Sequence, residues 1–519
     1  MNNIDYPALN DYLLSINLNE TFSDAMIGFE KESLRVNNSK ISLSPHPKRL
    51  GSSLCNKYIT TDFSEAQLEL ITPPSKGNKD SLRILEEIHH FVHSKIGDEI
   101  IWPLSIPPSL NSEADIPIAE FGSSHEGIFK HIYRKGLACR YGTAMQSISG
   151  FHFNYSLPDE IWSYFDYKDD HELMGIKTEI YFNMIRNIYQ MNWLLIYLFG
   201  ASPVIDQKLL KNQNDPFERI DSNSLLLANA TSLRMSEYGY SNLNRNGIYI
   251  PINTLNDYAN ALRHATTTPD TRYKNFSENH IQLNENILQI EAEFYATARA
   301  KSNHSDIKRP SANLLRHGVD FIEIRSLDLN PFSPVGIKKE AINFLELFLI
   351  FSLSKDSGSI SRENLDKINQ NDLLVSKYGR DTNQKLNKNG TNISIKDWGI
   401  EILEMMLPYA ELMDGGNLEY SNTLNMMKSH LNNPDETISA RIIDSLALNK
   451  YSHLELGNHL GESYKKSFLT RNKKTNEFWE TLQNEVKHSL NFQSELEELT
   501  LRGNISFDEF KEEYFQFSN

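Results

Sequence analysis

Cysteine is almost absent from this 519-residue chain. Cys55 and Cys139 are the only two, too few for a disulfide framework or, by themselves, a zinc site. Both read as small buried hydrophobes. Basic residues are in the minority, with 52 Lys and Arg against 68 Asp and Glu and a net charge of −16. A phosphate-backbone binder needs a basic footprint, so nucleic acid is not an expected partner, although a local basic pocket for one nucleotide is allowed. With 24 glycines and 19 prolines the chain is neither collagen-like nor a low-complexity linker. The longest apolar run, Trp193 to Ser202, falls short of the roughly 20 residues that span a bilayer. The opening from Met1 to Pro7 has neither a basic nor an apolar signal region, and the acceptor pattern Asn37-Asn38-Ser39 is read as chance. The expectation is a soluble, cytoplasmic protein with no membrane partner. Phosphate-binding loops are missing too: no G-x-x-x-x-G-K-[ST] occurs, no G-x-G-x-x-G follows a strand, and there is no H-E-x-x-H.

What is present is an ordinary globular composition, 39% hydrophobic and 23% charged. Short alternating strands dominate from Met26 to Pro74 and again from Met145 to Leu157. The spacing of Leu82, Leu85, Ile88, Val92 and Ile96 predicts a helix from Asp80 to Ile96 behind an Asp80/Ser81 cap. A second helix is predicted from Asp170 to Leu198, and a strand from Val319 to Leu327, stopped by Asn330-Pro331-Phe332-Ser333-Pro334. Beyond Gly336 the pattern is almost wholly helical, apart from a polar, loop-rich stretch from Ser354 to Asp397. Past Lys473 it reads as acidic, amphipathic helices lying on a surface. The expected class is α+β: a sheet-based region over 1–335 with helical insertions, and a mostly helical region over 336–519 packed on it as one integrated fold. A monomer is expected.

Four strands carry acids or a histidine on a single face. Period two puts Gly28, Glu30 and Glu32 on one side of the first and Phe29 on the other. Glu69 lies on a strand entered from Thr60-Thr61-Asp62-Phe63. Gly150, His152 and Asn154 separate from Phe151, Phe153 and Tyr155, and Glu323 and Arg325 separate from Ile322 and Ile324. Any one of these is also what an antiparallel strand with a wet polar face looks like. If the four share a sheet, Glu30, Glu32, Asp62, Glu69 and Glu323 converge. Two carboxylates about 4 Å apart repel by roughly 4 kcal/mol at an effective dielectric of 20, so such a cluster needs shifted protonation or bound cations. Hard oxygen ligands favour Mg²⁺ or Mn²⁺, and Mg²⁺ commonly shares its shell with substrate phosphates. Glycosidases pair two carboxylates, not five with a histidine and an arginine. His89 and His93, spaced i, i+4, could ligate a metal, but solvated helix histidines are the commoner case.

Several of these segments resemble the proteobacterial type of glutamate–cysteine ligase, of the glutamine-synthetase-like superfamily. They are Gly28-Phe29-Glu30-Lys31-Glu32-Ser33-Leu34-Arg35-Val36, the run from Ile59 to Pro73, Trp102-Pro103-Leu104-Ser105 and Gln146-Ser147-Ile148-Ser149-Gly150-Phe151-His152. Tyr197 to Pro203, Thr231-Ser232-Leu233-Arg234 and Glu323 to Pro334 complete them. The resemblance implies a curved, largely antiparallel catalytic funnel. It also implies ATP-dependent joining of the L-glutamate γ-carboxylate to the L-cysteine amine through γ-glutamyl phosphate, with Mg²⁺ or Mn²⁺, as the first step of glutathione biosynthesis. By motif, Glu30, Glu32, Asp62, Glu69, His152 and Glu323 are the metal candidates. Arg325 with Glu323 would serve the phosphoryl transfer, and Tyr133, Arg134, Gln146, Arg234 and Tyr240 would line the substrate pocket. Tyr133 and Leu137 would sense the acceptor side chain. Lys31 stands where the family more often has Arg, and little consequence is expected because it points off the acidic face. Two rivals remain: a γ-glutamyl ligase for another amine, and a sensor that binds without turnover. The second step of glutathione synthesis is expected on a separate protein.

Overall fold

A computed structural model describes residues 4–110, 112–210, 215–240, 248–276, 281–470, 477–503 and 505–516. The boundary expected at Lys473 lies outside them. The fold is α+β around an antiparallel sheet. In chain order the main strands are β1 (Met26–Asn37), β2 (Ile59–Thr61), β3 (Gln67–Ile71), β4 (Gly150–Ser156), β5 (Ala298–Lys301) and β6 (Phe321–Asp328). Their spatial order is β5-β6-β4-β1-β3-β2, and three two-residue strands add to the ends of β1. All these pairings are antiparallel.

Alternation gives this sheet one apolar face. Ile27, Phe29, Leu68, Leu70, Phe151, Phe153, Ile322 and Ile324 are all buried in one continuous core. That face rests on α1 (Gly77–His93) and α3 (Asp170–Phe199), and α5 (Lys339–Ser354) packs against both helices in the same core. Helix α5 is buried from Ile342 to Ser354, so a helix from beyond residue 336 supplies much of the core.

Four local expectations are corrected here. Helix α1 begins at Gly77 with no side-chain cap, because the Ser81 hydroxyl donates to the Ile27 carbonyl instead, at 3.1 Å, and ties the helix to β1. The strand expected from Val319 begins at Phe321 and runs to Asp328. The stretch from Ser354 to Asp397 is not loop-rich. It holds a helix over Arg362–Tyr378, capped by Ser361, and a hairpin of Lys385–Lys388 with Thr391–Ser394. Its inward positions include Asn371 and Ser376 as well as Leu365 and Val375. Asn371 bonds both ways to the Asn387 backbone at 2.9 Å, so polar packing hides the periodicity. Finally, Cys55 is only half-buried and Cys139 is exposed. Cys139 sits on α2 (His125–Tyr141), which turns Gly136 and Leu137 inward instead.

His89 and His93 are buried, not solvated. They stack on Phe468 at 5.6 and 5.1 Å, beneath the helix His453–Thr470. Lys31 does point off the acidic face, but into this apolar layer. It is 2% exposed, with its Nζ 3.1 Å from His89 Nε2, and burial pushes it down to about 7. A cation whose folded value lies below its unfolded one costs stability at and below the folded value. That cost disappears as pH rises toward the unfolded value of about 10.5. Lys31→Met is therefore expected to stabilise the protein more at pH 7 than at pH 10. Denaturant melts of both proteins at the two pH values check this, and an equal gain at both would contradict it.

Candidate active site

Strand register sets the polar face. Glu30 stands opposite His152, Glu32 opposite Glu69, and Glu323 opposite both Asn154 and Arg299. Between Ile324 and Leu327 the β6–β4 register shifts by a bulge, leaving Arg325 and Ser326 against the single residue His152. Alternation alone puts Arg325 on the polar face beside Glu323; the extra residue returns Leu327 to the core and turns Asp328 toward Gly150.

This face floors a cavity of about 310 Å³. Every candidate named from sequence lines it: Glu30, Glu32, Asp62, Glu69, His152, Glu323 and Arg325 on the sheet side, and Tyr133, Arg134, Leu137, Gln146, Arg234 and Tyr240 around it. His152 is the hub. Its Nδ1 lies 3.2 Å from Glu30 and 3.3 Å from Glu323, and its Nε2 lies 3.5 Å from Glu32. Arg325 Nη1 donates to Glu323 Oε1 at 2.8 Å, and Lys301 approaches the other Glu323 oxygen at 3.5 Å. The Gly150 amide donates to Glu32 at 2.7 Å, and Asn154 to Glu30 at 2.9 Å. Asp62 is at the rim, half-buried, with Arg134 at 3.9 Å and bonded to its backbone carbonyl.

Burial and crowding spread the protonation of this cluster. Burial, with Glu30, Asp62 and Glu32 near, pushes Glu69 up to about 8, and burial also raises Glu32. Burial and Arg325 would lower His152, yet hydrogen bonds to Glu30 and Glu323 and the charge of Glu32 outweigh them and bring it to about 9. Burial would raise Glu323, but Arg325 and Lys301 hold it well below the carboxylate range. In the ligand-free protein, protons on His152 and Glu69 therefore do the neutralising. The donor set fits hard divalent cations: Glu30, Glu32, Glu69, Glu323 and His152 crowd one small volume, and Glu30, His152 and Glu323 offer ligand atoms all within 4.8 Å of one another.

The opposite wall is built by close approach. Arg234 lies across β4 where Gly150 has no side chain; a Cβ there would sit 2.1 Å from Arg234 Nη2. That nitrogen donates to the Arg325 carbonyl at 2.9 Å, and Nη1 lies 3.5 Å from Asp328. Tyr240 donates to the Ile148 carbonyl at 2.9 Å and packs against Tyr295 at 4.6 Å. Tyr295 in turn donates to Gln146 Oε1 at 2.9 Å, leaving the Gln146 amide nitrogen buried with no hydrogen-bond partner among the described residues.

Several lining residues were not anticipated. Arg299 and Lys301 come from edge strand β5, and Thr297 immediately precedes it; the alternation Ala298-Arg299-Ala300-Lys301 is a legible signal. Asn369, Asp372 and Leu373 come from the Arg362–Tyr378 helix, which the sequence reading treated as loop. Asn192 donates to one Asp372 oxygen at 2.7 Å, while the other is buried without a hydrogen bond, and burial pushes the group up to about 8.

An antiparallel sheet bearing a converging acid cluster, a buried arginine and a walled cavity has the build of an enzyme site, and the family and relatives that the chain matches place it in the ligase class. A sequence model of the family described as glutamate-cysteine ligase matches residues 11–375. A glutamate–cysteine ligase of Alcanivorax borkumensis is 39% identical over 474 residues, covering 88% of this chain and 90% of the relative. One of a Janthinobacterium species is 38% identical over 500 residues, 94% of each chain. Among solved structures, glutamate–cysteine ligase of Francisella tularensis in complex with AMP superposes with a TM-score of 0.87 at 32% identity, over 95% of this chain and 97% of the other. A bifunctional glutathione synthetase from Pasteurella multocida gives 0.72 at 25% identity, over 90% of this chain and 55% of that one. The chain belongs to the glutamate–cysteine ligase family. No helix among its described residues is long and apolar enough to cross a membrane.

Proposed function

We propose that this enzyme uses ATP to join the γ-carboxylate of L-glutamate to the amine of L-cysteine, giving γ-glutamylcysteine, ADP and phosphate. The observation that carries the reading is the Glu30/Glu32/Glu69/Glu323/His152 cluster with Arg325 at its edge, in a chain that matches glutamate–cysteine ligases over most of its length. Glu30, Glu32, Asp62, Glu69, His152 and Glu323 would hold Mg²⁺ or Mn²⁺. Bound there, the cations would neutralise the triphosphate and the developing phosphoryl charge. Arg325, kept charged by Glu323, Glu32 and Glu30, would bind the transferring phosphoryl group. Arg234, a planar donor fork, suits a substrate α-carboxylate. Arg134 belongs to the same pocket rim. Tyr133, Leu137, Gln146 and Tyr240, which line the cavity, would receive the acceptor amino acid. The accompanying expectation is a monomeric, cytoplasmic enzyme.

The test is ADP release with ATP, Mg²⁺ and L-glutamate, with and without L-cysteine, and product identification by mass. Cysteine-dependent release with γ-glutamylcysteine formed is expected. Faster turnover with 2-aminobutyrate would overturn the acceptor, and no turnover with any amine would overturn the activity.

The same cluster predicts how cation binding depends on pH. Folded values raised above unfolded ones, as for His152 and Glu69, contribute stability at low pH that is lost as pH rises through about 8 to 9. Mg²⁺ replaces those protons, so the rise in melting temperature on adding Mg²⁺ is expected to be larger at pH 9 than at pH 6. A rise independent of pH, measured by calorimetry, would remove these two groups from the cation site.

A further inference from the structure

Strand β5 leaves the cavity at Lys301 and enters a loop, residues 302–309, exposed from Asn303 to Asp306 and closed by the buried Arg309, before the helix α4 (Pro310–His317). The loop is tied at both ends. The Ser302 hydroxyl and the Asn303 amide both donate to Asp320, at 3.0 and 2.7 Å, and the Ile307 amide donates to Asn313 at 3.1 Å. Between these anchors three metal-ligating side chains meet. His317 Nε2, from the last turn of α4, lies 2.9 Å from Asp306 Oδ1. The His304 ring stacks on the His317 ring at 3.9 Å and 15°. One ligand atom from each of His304, Asp306 and His317 lies within 4.8 Å of the other two. Arg316 pairs with the second Asp306 oxygen at 3.3 Å, which leaves Oδ1 facing the imidazoles.

From this geometry we infer a second metal site, distinct from the acid cluster, that takes a zinc-class divalent cation on His304, Asp306 and His317. Two imidazoles and a carboxylate form a borderline donor set that suits Zn²⁺ better than Mg²⁺, which favours sites dominated by oxygen such as the acid cluster. Donor atoms around a tetrahedral zinc lie roughly 3.4 Å apart at bond lengths of 2.0–2.2 Å, so the present triangle contracts on binding and the two imidazoles turn out of their stack to aim both in-plane lone pairs at the ion, with water completing the shell. The ion clasps the loop to the C-terminal end of α4. The histidine pair, His304 exposed and His317 half-buried, thereby acquires a role that surface solvation alone does not require.

The experiment is equilibrium dialysis of the full chain against Zn²⁺ with excess Mg²⁺ occupying oxygen-rich sites, repeated with Co²⁺ to read the ligand-field spectrum. The wild type is expected to retain one equivalent of Zn²⁺ and to give an intense visible Co²⁺ band of tetrahedral type. H304A and H317A are each expected to weaken Zn²⁺ binding at least tenfold and to lose the band. D306N, which keeps both imidazoles and the side-chain size, is expected to do the same to a smaller degree and guards against a folding defect in the alanine variants. Unchanged Zn²⁺ retention in H304A and H317A, or a wild type that retains no Zn²⁺ under Mg²⁺, would overturn the site.

Discussion

Arg325→Ala is expected to lower turnover by about 10³-fold or more, the scale of an arginine that stabilises phosphoryl transfer, while ATP affinity changes only a few-fold. Arg325 is fixed from two sides. Glu323 accepts from its Nη1 at 2.8 Å, and Arg234 holds its backbone carbonyl, so the guanidinium is set in place before substrate arrives. Burial alone would weaken its charge, but Glu323, Glu32 and Glu30 outweigh that, and it stays cationic across the working range. A preorganised charge contributes most where charge develops in the transition state, not where the ground state binds. Steady-state kinetics with a separate nucleotide-binding titration check this. An affinity loss equal to the rate loss would instead make Arg325 a simple nucleotide anchor. Arg325→Lys keeps the charge without the planar fork and is expected to fall between the two.

Glu323→Gln is the second large effect. Glu323 is fully buried and touches His152, Arg325 and Lys301 at once. Glutamine preserves the shape and removes the charge that both cations and Arg325 face. The expected result is a Mg²⁺ requirement raised at least tenfold with a turnover loss of about 10²-fold, on the scale seen when residues supporting a metal are changed, and partial recovery at high Mg²⁺. Removing that carboxylate also takes away one of the two hydrogen bonds that raise His152, so its imidazole should titrate at a lower pH, observable by NMR. Loss of turnover with an unchanged Mg²⁺ dependence would remove Glu323 from the metal set and leave it only as the partner of Arg325.

Much of the site was legible because the pleat of a strand is a local property. Glu30 and Glu32 share a face with each other and not with Phe29 whatever the rest of the chain does, and the same holds for His152 and for Glu323 with Arg325. What lay beyond reach were the pairings. Nothing near Glu32 indicates that Glu69 stands opposite it, and nothing near Arg325 announces a bulge. Asp372 sits on a helix whose inward face is partly polar, so its approach to the cavity left no periodic trace.

By itself, then, the amino-acid order determined the class of fold, the polar and apolar faces of each strand, and the acids, histidine and arginine that line the cavity. The tertiary structure decided which strands are neighbours, how Arg234 crosses a glycine to reach Arg325, and that Lys31 is buried against His89 while Cys139 faces solvent. Side-chain direction along a strand follows from backbone geometry a few residues long. Register, bulges and burial are settled by contacts between segments up to hundreds of residues apart, where burying one apolar face in a shared core selects among arrangements that are locally equivalent.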